Sequence, residues 1–343
     1  MTGRRSAVTR RSIRRLCCGL LLSIAVSGCA ILAPLVPQTV ALRTSWPQGV
    51  PERTELASVP FFPQDEYQCG PAALATVLGA SGAAVTPESL VPEVWLPSRK
   101  GSLQLEMLAA PRKHGRVSYR LEPNYSALLR EVAAGNPVIV LQDVGPLFAW
   151  WHYAVVNGYD YGTGTIYLRS GTEPRKEMPF TAFERTWIKS GYWAMVVLPP
   201  DRVAASAEED SWLESLLAFG RVADTDAVRR AYAAMLRRWP DSLAAAIGLA
   251  NALHTQGSLA EAADVLRRAL ERHPQSVIAM NNLAQTLSDQ GLQQQALEQI
   301  DRAMDAQSPF ASDVRATREL ILQRIQLRLQ QHAQQRKAAS SSR

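Results

Sequence analysis

The sequence predicts an α+β domain followed by an all-α repeat domain, and three observations carry that reading. A single cysteine heads an apolar run, Cys69-Gly70-Pro71 and then Ala72–Leu78. Four β-branched or aromatic runs bounded by turn residues come after it: Pro137–Gln142, Tyr153–Tyr159, Thr165–Arg169 and Tyr192–Leu198. Runs of this kind read as strands. Beyond Pro200 the composition turns to Ala, Leu, Arg and Gln, and residues recur 34 positions apart: Pro240 and Pro274, Leu249 and Leu283, Ala250 and Ala284, Gly257 and Gly291, Ala262 and Ala296, Ala269 and Ala303. Helices followed by consecutive strands give one largely antiparallel sheet with helices packed on it. A fixed period of this length gives stacked helix pairs.

A chain of 343 residues has room for about two domains. The first 28 residues belong to neither. Arg4, Arg5, Arg10, Arg11, Arg14 and Arg15 precede a short apolar run from Leu16 to Val26, followed by Ser27-Gly28-Cys29. A basic region, a short apolar core and a small-residue site make an export signal, and the core is too short for an ordinary membrane span. Val26-Ser27-Gly28-Cys29 also resembles a bacterial lipobox, which implies cleavage before Cys29 and a lipid on its sulfur. No Asp follows Cys29, which fits outer-membrane sorting. The expected location is therefore the bacterial cell envelope, lipid-anchored in the outer membrane and facing the periplasm. Residues 29–58 are rich in Pro and lack sustained periodicity, so they read as a tether.

The formal charge of +6 comes from 37 basic against 31 acidic residues. Six of those bases sit in residues 1–28, which carry no acid, so the mature chain is near neutral and offers no ground for a nucleic-acid partner. Of four cysteines, Cys17 and Cys18 leave with the signal and Cys29 takes the lipid, leaving Cys69 as the free thiol. Such a thiol is a nucleophile, half of an intermolecular bridge, or a buried apolar group. Neither clustered metal ligands nor a Gly-rich phosphate loop stands out, and no metal or cofactor is expected.

Taken in order, Val59–Phe62 is extended and leads through a polar turn to Cys69. Pro71 belongs in the first turn of a helix, so Cys69 sits at its N-terminal end, where unpaired N–H groups and the helix dipole favour a thiolate and lower the cysteine pKa. A buried structural cysteine is the plainer alternative. Thr86-Pro87-Glu88 reads as a helix start, and Ser102–Ala110 and Asn124–Ala134 as short helices, the last ended by Gly135. With 59–200 as the first domain, 201–222 is a linker or a degenerate repeat helix. The repeat domain spans 223–336: Ala223–Trp239 as the second helix of a degenerate repeat, full repeats at Pro240–His273 and Pro274–Gln307, and Ser312–Gln331 as a cap. Lys337–Arg343 reads as a disordered tail.

Gln64 followed by Gln68-Cys69-Gly70-Pro71-Ala72-Ala73-Leu74, together with His152-Tyr153-Ala154-Val155-Val156-Asn157-Gly158, resembles the bacteriocin-processing C39 peptidases and the broader C39-like group, over roughly 59–200. The resemblance implies a papain-like fold and thiol peptidase chemistry. It makes Cys69 the nucleophile, His152 the general base and acid, and Gln64 the oxyanion donor, with a Gln–Cys spacing one residue shorter than in the bacteriocin transporters. Where that pattern has an Asp to orient the His, this chain has Ser170. Asn157 and Asp160 lie roughly 16 and 26 Å along the strand from His152, out of reach. Asp143 ends the preceding strand and is the other candidate, and a backbone carbonyl is a third. The 34-residue period resembles tetratricopeptide repeats, which implies a protein partner held on a concave surface; the alternative is an array that only braces the first domain. Expected partners are thus a peptide or protein substrate, a protein on the repeats, and the membrane through the N-terminus. A catalytically silent peptide-binding adaptor and acyl or amide transfer on a non-peptide substrate are the other functional readings. Phe148, Trp150 and Trp151 crowd the approach to His152, either capping the sheet edge or forming an apolar wall for a peptide side chain.

Overall fold

The computed structural model describes residues 36–63, 68–99, 101–304 and 308–341. Its first part is one antiparallel sheet with helices on both faces. In chain order come α1 (Pro37–Thr44), β1 (Arg53–Glu55), α2 (Cys69–Ala80), α3 (Pro87–Val94), α4 (Gln104–Lys113), β2 (Val117–Arg120), α5 (Tyr125–Ala133), β3 (Val138–Asp143), β4 (Trp151–Asp160), β5 (Thr165–Ser170), β6 (Glu173–Pro179), α6 (Phe180–Trp187) and β7 (Ala194–Leu198). The strands lie in the order β2-β7-β3-β4-β5-β6. β4 is the spine: β3 pairs with its first half, from Asp143↔Trp151 to Val138↔Val156, and β1 pairs with its last residues, Arg53↔Asp160 to Glu55↔Gly158.

The period of two along a strand sorts the core into two layers. Tyr153 and Val155 of β4 join Leu74, Leu78, Leu90 and Met107 of α2, α3 and α4. Ala154 and Val156, one residue away, join Leu128 of α5 and Phe183 and Trp187 of α6 on the other face. The Cys69 helix is thus clamped to the sheet by an apolar face that is buried from Gly70 to Leu78.

The tether expected over 29–58 is corrected by the structure from residue 37 onward. α1 is a helix with Pro37 in its first turn, and β1 is a strand of the sheet. Leu42 and Val50 are buried, and the Trp46 ring lies 5.7 Å from that of Tyr159. The reason is a partner far along the chain. Glu184 of α6, buried, accepts the amides of Gln38 (3.0 Å) and Thr39 (2.7 Å) and the Thr39 hydroxyl, filling the place of an N-terminal cap. Local sequence cannot display a cap supplied 145 residues later.

The second part is all-α: α7 (Glu209–Phe219), α8 (Thr225–Arg238), α9 (Leu243–Thr255), α10 (Leu259–Arg272), α11 (Val277–Asp289), α12 (Gln293–Met304) and α13 (Ala311–Ser341). The period shows in the caps, since Ser242 accepts the Ala245 amide and Ser276 the Ala279 amide, each at 3.2 Å. α13 runs ten residues past the expected end at Gln331, so the tail expected to be disordered from Lys337 is helical to Ser341. Ala, Gln, Lys and Arg are good helix formers, and no Gly or Pro interrupts them. No helix among the described residues is long and apolar enough to cross a membrane.

The two parts share a core. Trp212, Leu216 and Phe219 of α7 and Ala231, Tyr232 and Met235 of α8 belong to the same buried cluster as Trp187 and Val196, and the cluster continues to Ala245 of α9. The segment 201–222 is therefore packed structure, with α7 lying on the sheet domain. A chain cut at residue 223 exposes the faces of Ala231, Tyr232 and Met235, so it is expected to melt at lower temperature, and less cooperatively, than one cut at 201 by circular dichroism; equal melting is the contrary result.

Candidate active site

α2 starts at Cys69 itself. Gln68 precedes it with φ −102° and ψ 22°, Pro71 stands in the first turn, and the first helical bond runs from the Ala72 amide to the Gln68 carbonyl at 3.2 Å. Gly70 is needed there, because a Cβ would lie 2.2 Å from Ser102 Oγ. The Tyr153 hydroxyl in turn donates to the Ser102 carbonyl at 3.3 Å, tying the head of α2, the approach to α4 and the start of β4 together.

The Cys69 thiol lies near β4, close enough to the backbone amides of Tyr153 and Gly70 and to its own amide to feel their field. Burial is the larger effect and pushes the thiol up, and these amides only offset part of it. That reverses the lowered pKa expected from the helix terminus. Dipole and N–H groups are present, but so is an apolar surround that disfavours charge.

His152, the second residue of β4, stands opposite Gln142 in register. Its Nε2 is 2.9 Å from Ser170 Oγ. Burial lowers its pKa to about 4, and the Lys176 ammonium works in the same direction. The pair at neutral pH is therefore a neutral imidazole and a neutral thiol. Among the described residues Nδ1 makes no hydrogen bond, and none joins the imidazole to Sγ. In unliganded sites such bonds are often long and tighten with substrate.

Of the candidates for orienting His152, Ser170 makes the bond and Asp143 does not. Asp143 pairs in register with Trp151, and neighbours on a strand face opposite ways. Its carboxylate accepts the amides of Gly145 and Trp150 and meets Lys189 Nζ at 3.1 Å. Ser170 is the last residue of β5, one past Arg169, which pairs with Val155 of β4, and this places it near the start of β4. Gln64 and Cys29 lie outside the described residues.

Three contributors were not read from the sequence. Arg169 holds the segment leading from β1 toward the cysteine, bonding the carbonyls of Ala57 (3.1 Å) and Val59 (3.1 and 3.3 Å). Its only signal was a lone cation in an apolar strand. Gln142, beside His152, is fixed to Thr186 at 2.6 Å, and Ser102 fills the space left by Gly70.

Residues 56–195 match the model of the Peptidase_C39 like family, and residues 216–276 and 265–298 match two tetratricopeptide repeat models. The chain carries a C39-like peptidase domain followed by tetratricopeptide repeats. Among solved structures, a C39-like peptidase from Bacillus anthracis is similar at 20% identity, over 43% of this chain and 98% of that one, with TM-score 0.37. The peptidase domain of Streptococcus ComA, a bifunctional ABC transporter, is similar at 22% identity, over 41% and 98%, with TM-score 0.34. The TPR2B domain of yeast Sti1 in complex with pHsp70 is similar at 21% identity, over 34% and 96%, with TM-score 0.32. No curated protein matches.

Ser170 is thus the point at which this C39-like domain can be tuned. Ser170→Asp puts a carboxylate beside Nε2, favours the imidazolium, and is expected to raise the His152 pKa above its value of about 4. Proton NMR titration of the imidazole measures this, and an unmoved titration would place Ser170 out of contact with the ring.

Proposed function

We propose that this chain is an exported, lipid-anchored thiol peptidase that cleaves a peptide or protein bond through Cys69 and His152. The observation that carries the reading is the Cys69 thiol at the head of α2, against the first residues of β4, with the His152 ring held at Nε2 by Ser170. In the proposed reaction Nδ1 of the neutral imidazole takes the thiol proton as Sγ forms its bond to the carbonyl carbon. The Cys69 amide and Gln64 receive the oxyanion, and His152 returns the proton to the leaving amine as the C–N bond breaks. Water then hydrolyses the thioester, with the imidazole as base. The lipid anchor on Cys29, the envelope location and the protein partner on the repeats belong to the same reading, supported by the N-terminal sequence and by the repeat domain.

One observation favours a second reading. A thiol whose charge burial disfavours, with a neutral imidazole held by a serine in place of an acid, also suits a peptide-binding module that does not cleave. Incubating the full chain with a proteome-derived peptide mixture and sequencing the products by mass spectrometry separates the two. New termini present with the wild type and absent with Cys69→Ala are expected; identical products from both leave the binding module.

A further inference from the structure

The turn that joins β3 to β4 is fixed from beneath and apolar above. Asp143 Oδ1 accepts the amides of Gly145 (3.0 Å) and Trp150 (2.8 Å), and the Val144 amide donates to the Trp150 carbonyl at 3.0 Å. Burial opposes the Asp143 charge, yet the two amides and the Lys189 ammonium hold its carboxyl below the ordinary carboxylate range. Gly145 is required, because a Cβ there would lie 1.8 Å from the Phe148 carbonyl oxygen. On this base stand Leu147, 88% exposed, and Phe148, 87% exposed, with Val144, Trp150 and Trp151 about half exposed. Residues 144–151 include no charged side chain. Single exposed apolar residues are ordinary, whereas a contiguous cluster marks an interaction surface.

We propose that this tip is a membrane contact, in which Leu147, Phe148 and Trp151 enter the interfacial layer of a phospholipid bilayer and hold the thiol site at its surface. Side chains as bare as Leu147 and Phe148 stand on a convex tip. A peptide is taken by a concave site whose walls already cover one another, while a bilayer accepts a convex apolar tip. Indole and phenyl rings beside aliphatic ones are the set that partitions to the membrane interface. The N-terminal sequence points the same way. Pro37 of α1 follows the expected lipidation site, Cys29, by eight residues, so an anchor there would reach no more than about 30 Å from α1. The contact itself does not require that lipid.

The test uses the full chain in vesicles of phosphatidylethanolamine and phosphatidylglycerol with brominated acyl chains, which quench tryptophan at short range. Expected is quenching in the wild type that falls to a small remainder in Trp150→Phe/Trp151→Phe, since Trp187, Trp193 and Trp212 are buried in the core and Trp46, Trp95 and Trp239, partly buried, lie off this tip. Leu147→Ser/Phe148→Ser, on the exposed tip, should keep its far-ultraviolet circular dichroism and lower the quenching roughly threefold or more. Quenching that is absent, or unchanged by the tryptophan replacements, overturns the proposal. So does a response of the loop tryptophans to a leucine-rich decapeptide but not to vesicles, which would reassign the tip to peptide docking. A chain found by intact mass to carry no lipid at Cys29 can still show the quenching, so loss of the anchor and loss of this contact read out separately.

Discussion

Replacing His152 by Ala is expected to lower Cys69-dependent peptide hydrolysis by roughly 100- to 10,000-fold in kcat/KM, the range that a positioned general acid–base contributes. The pH dependence carries more information than the loss. With the His152 pKa lowered to about 4, the neutral base is available at all higher pH, so the acid limb of kcat/KM in the wild type should fall near pH 4 rather than near 6.5. The thiol is displaced in the other direction by burial, so iodoacetamide alkylation of Cys69 followed against pH should have a midpoint above that of a free thiol. A midpoint at or below pH 7 would show a preformed thiolate–imidazolium pair and overturn the neutral one. Stability follows the same imidazole. Its folded pKa lies below its unfolded one, so the unfolded chain binds more protons between about pH 4 and 6.5. Stability is therefore full above 6.5 and is lost as pH falls toward 4, by on the order of 3 kcal/mol at most. His152→Ala should flatten that slope in denaturant titrations at stepped pH.

Glu184→Ala is expected to destabilise the sheet domain by roughly 3 kcal/mol or more, the scale of leaving several buried donors without their acceptor. Glu184 is buried and accepts from Gln38, Thr39 and, at 3.0 Å, the Tyr192 hydroxyl. Its loss orphans those donors and frees α1 from α6. Tyr192 is also the one described non-glycine residue with positive φ, 58°, a conformation that the bond from its hydroxyl helps to hold. Glu184→Gln retains acceptance at one oxygen and should lose less. Urea unfolding of the three proteins checks the order, and an Ala variant as stable as the wild type would mean that α1 is held by its apolar contacts alone.

What the sequence displayed was local. Pro71 and the apolar run after it placed Cys69 at a helix head, and β-branched runs marked β3, β4, β5 and β7, because those elements are buried on both faces and need little more than apolar side chains. β6 escaped notice: Glu173–Pro179 is charged, contains two prolines and is mostly exposed, and it is a strand only because β5 offers it an edge. α1 escaped for the same kind of reason, its cap being Glu184. Within the site, Ser170 was readable as the position after the next strand, but choosing it over Asp143 required the register of β4 on β3 and β5. The thiol pKa was misread because a helix terminus is visible in one segment of sequence, while burial is supplied by Tyr153, Met107 and Trp193, which lie scattered along the chain.

The buried cluster that runs from the sheet through α7 and α8 ends at Ala245, and a second begins at Ala246, with Leu236 and Leu249 packed against both. On the proposed reading, the repeat array is thus joined to the sheet domain through packed side chains, and a chain gripped along it would be presented at a set range from Cys69. In such an arrangement the bond brought to the sulfur would be chosen by distance along the gripped chain, as a stop on a cutting bench sets the length of the piece.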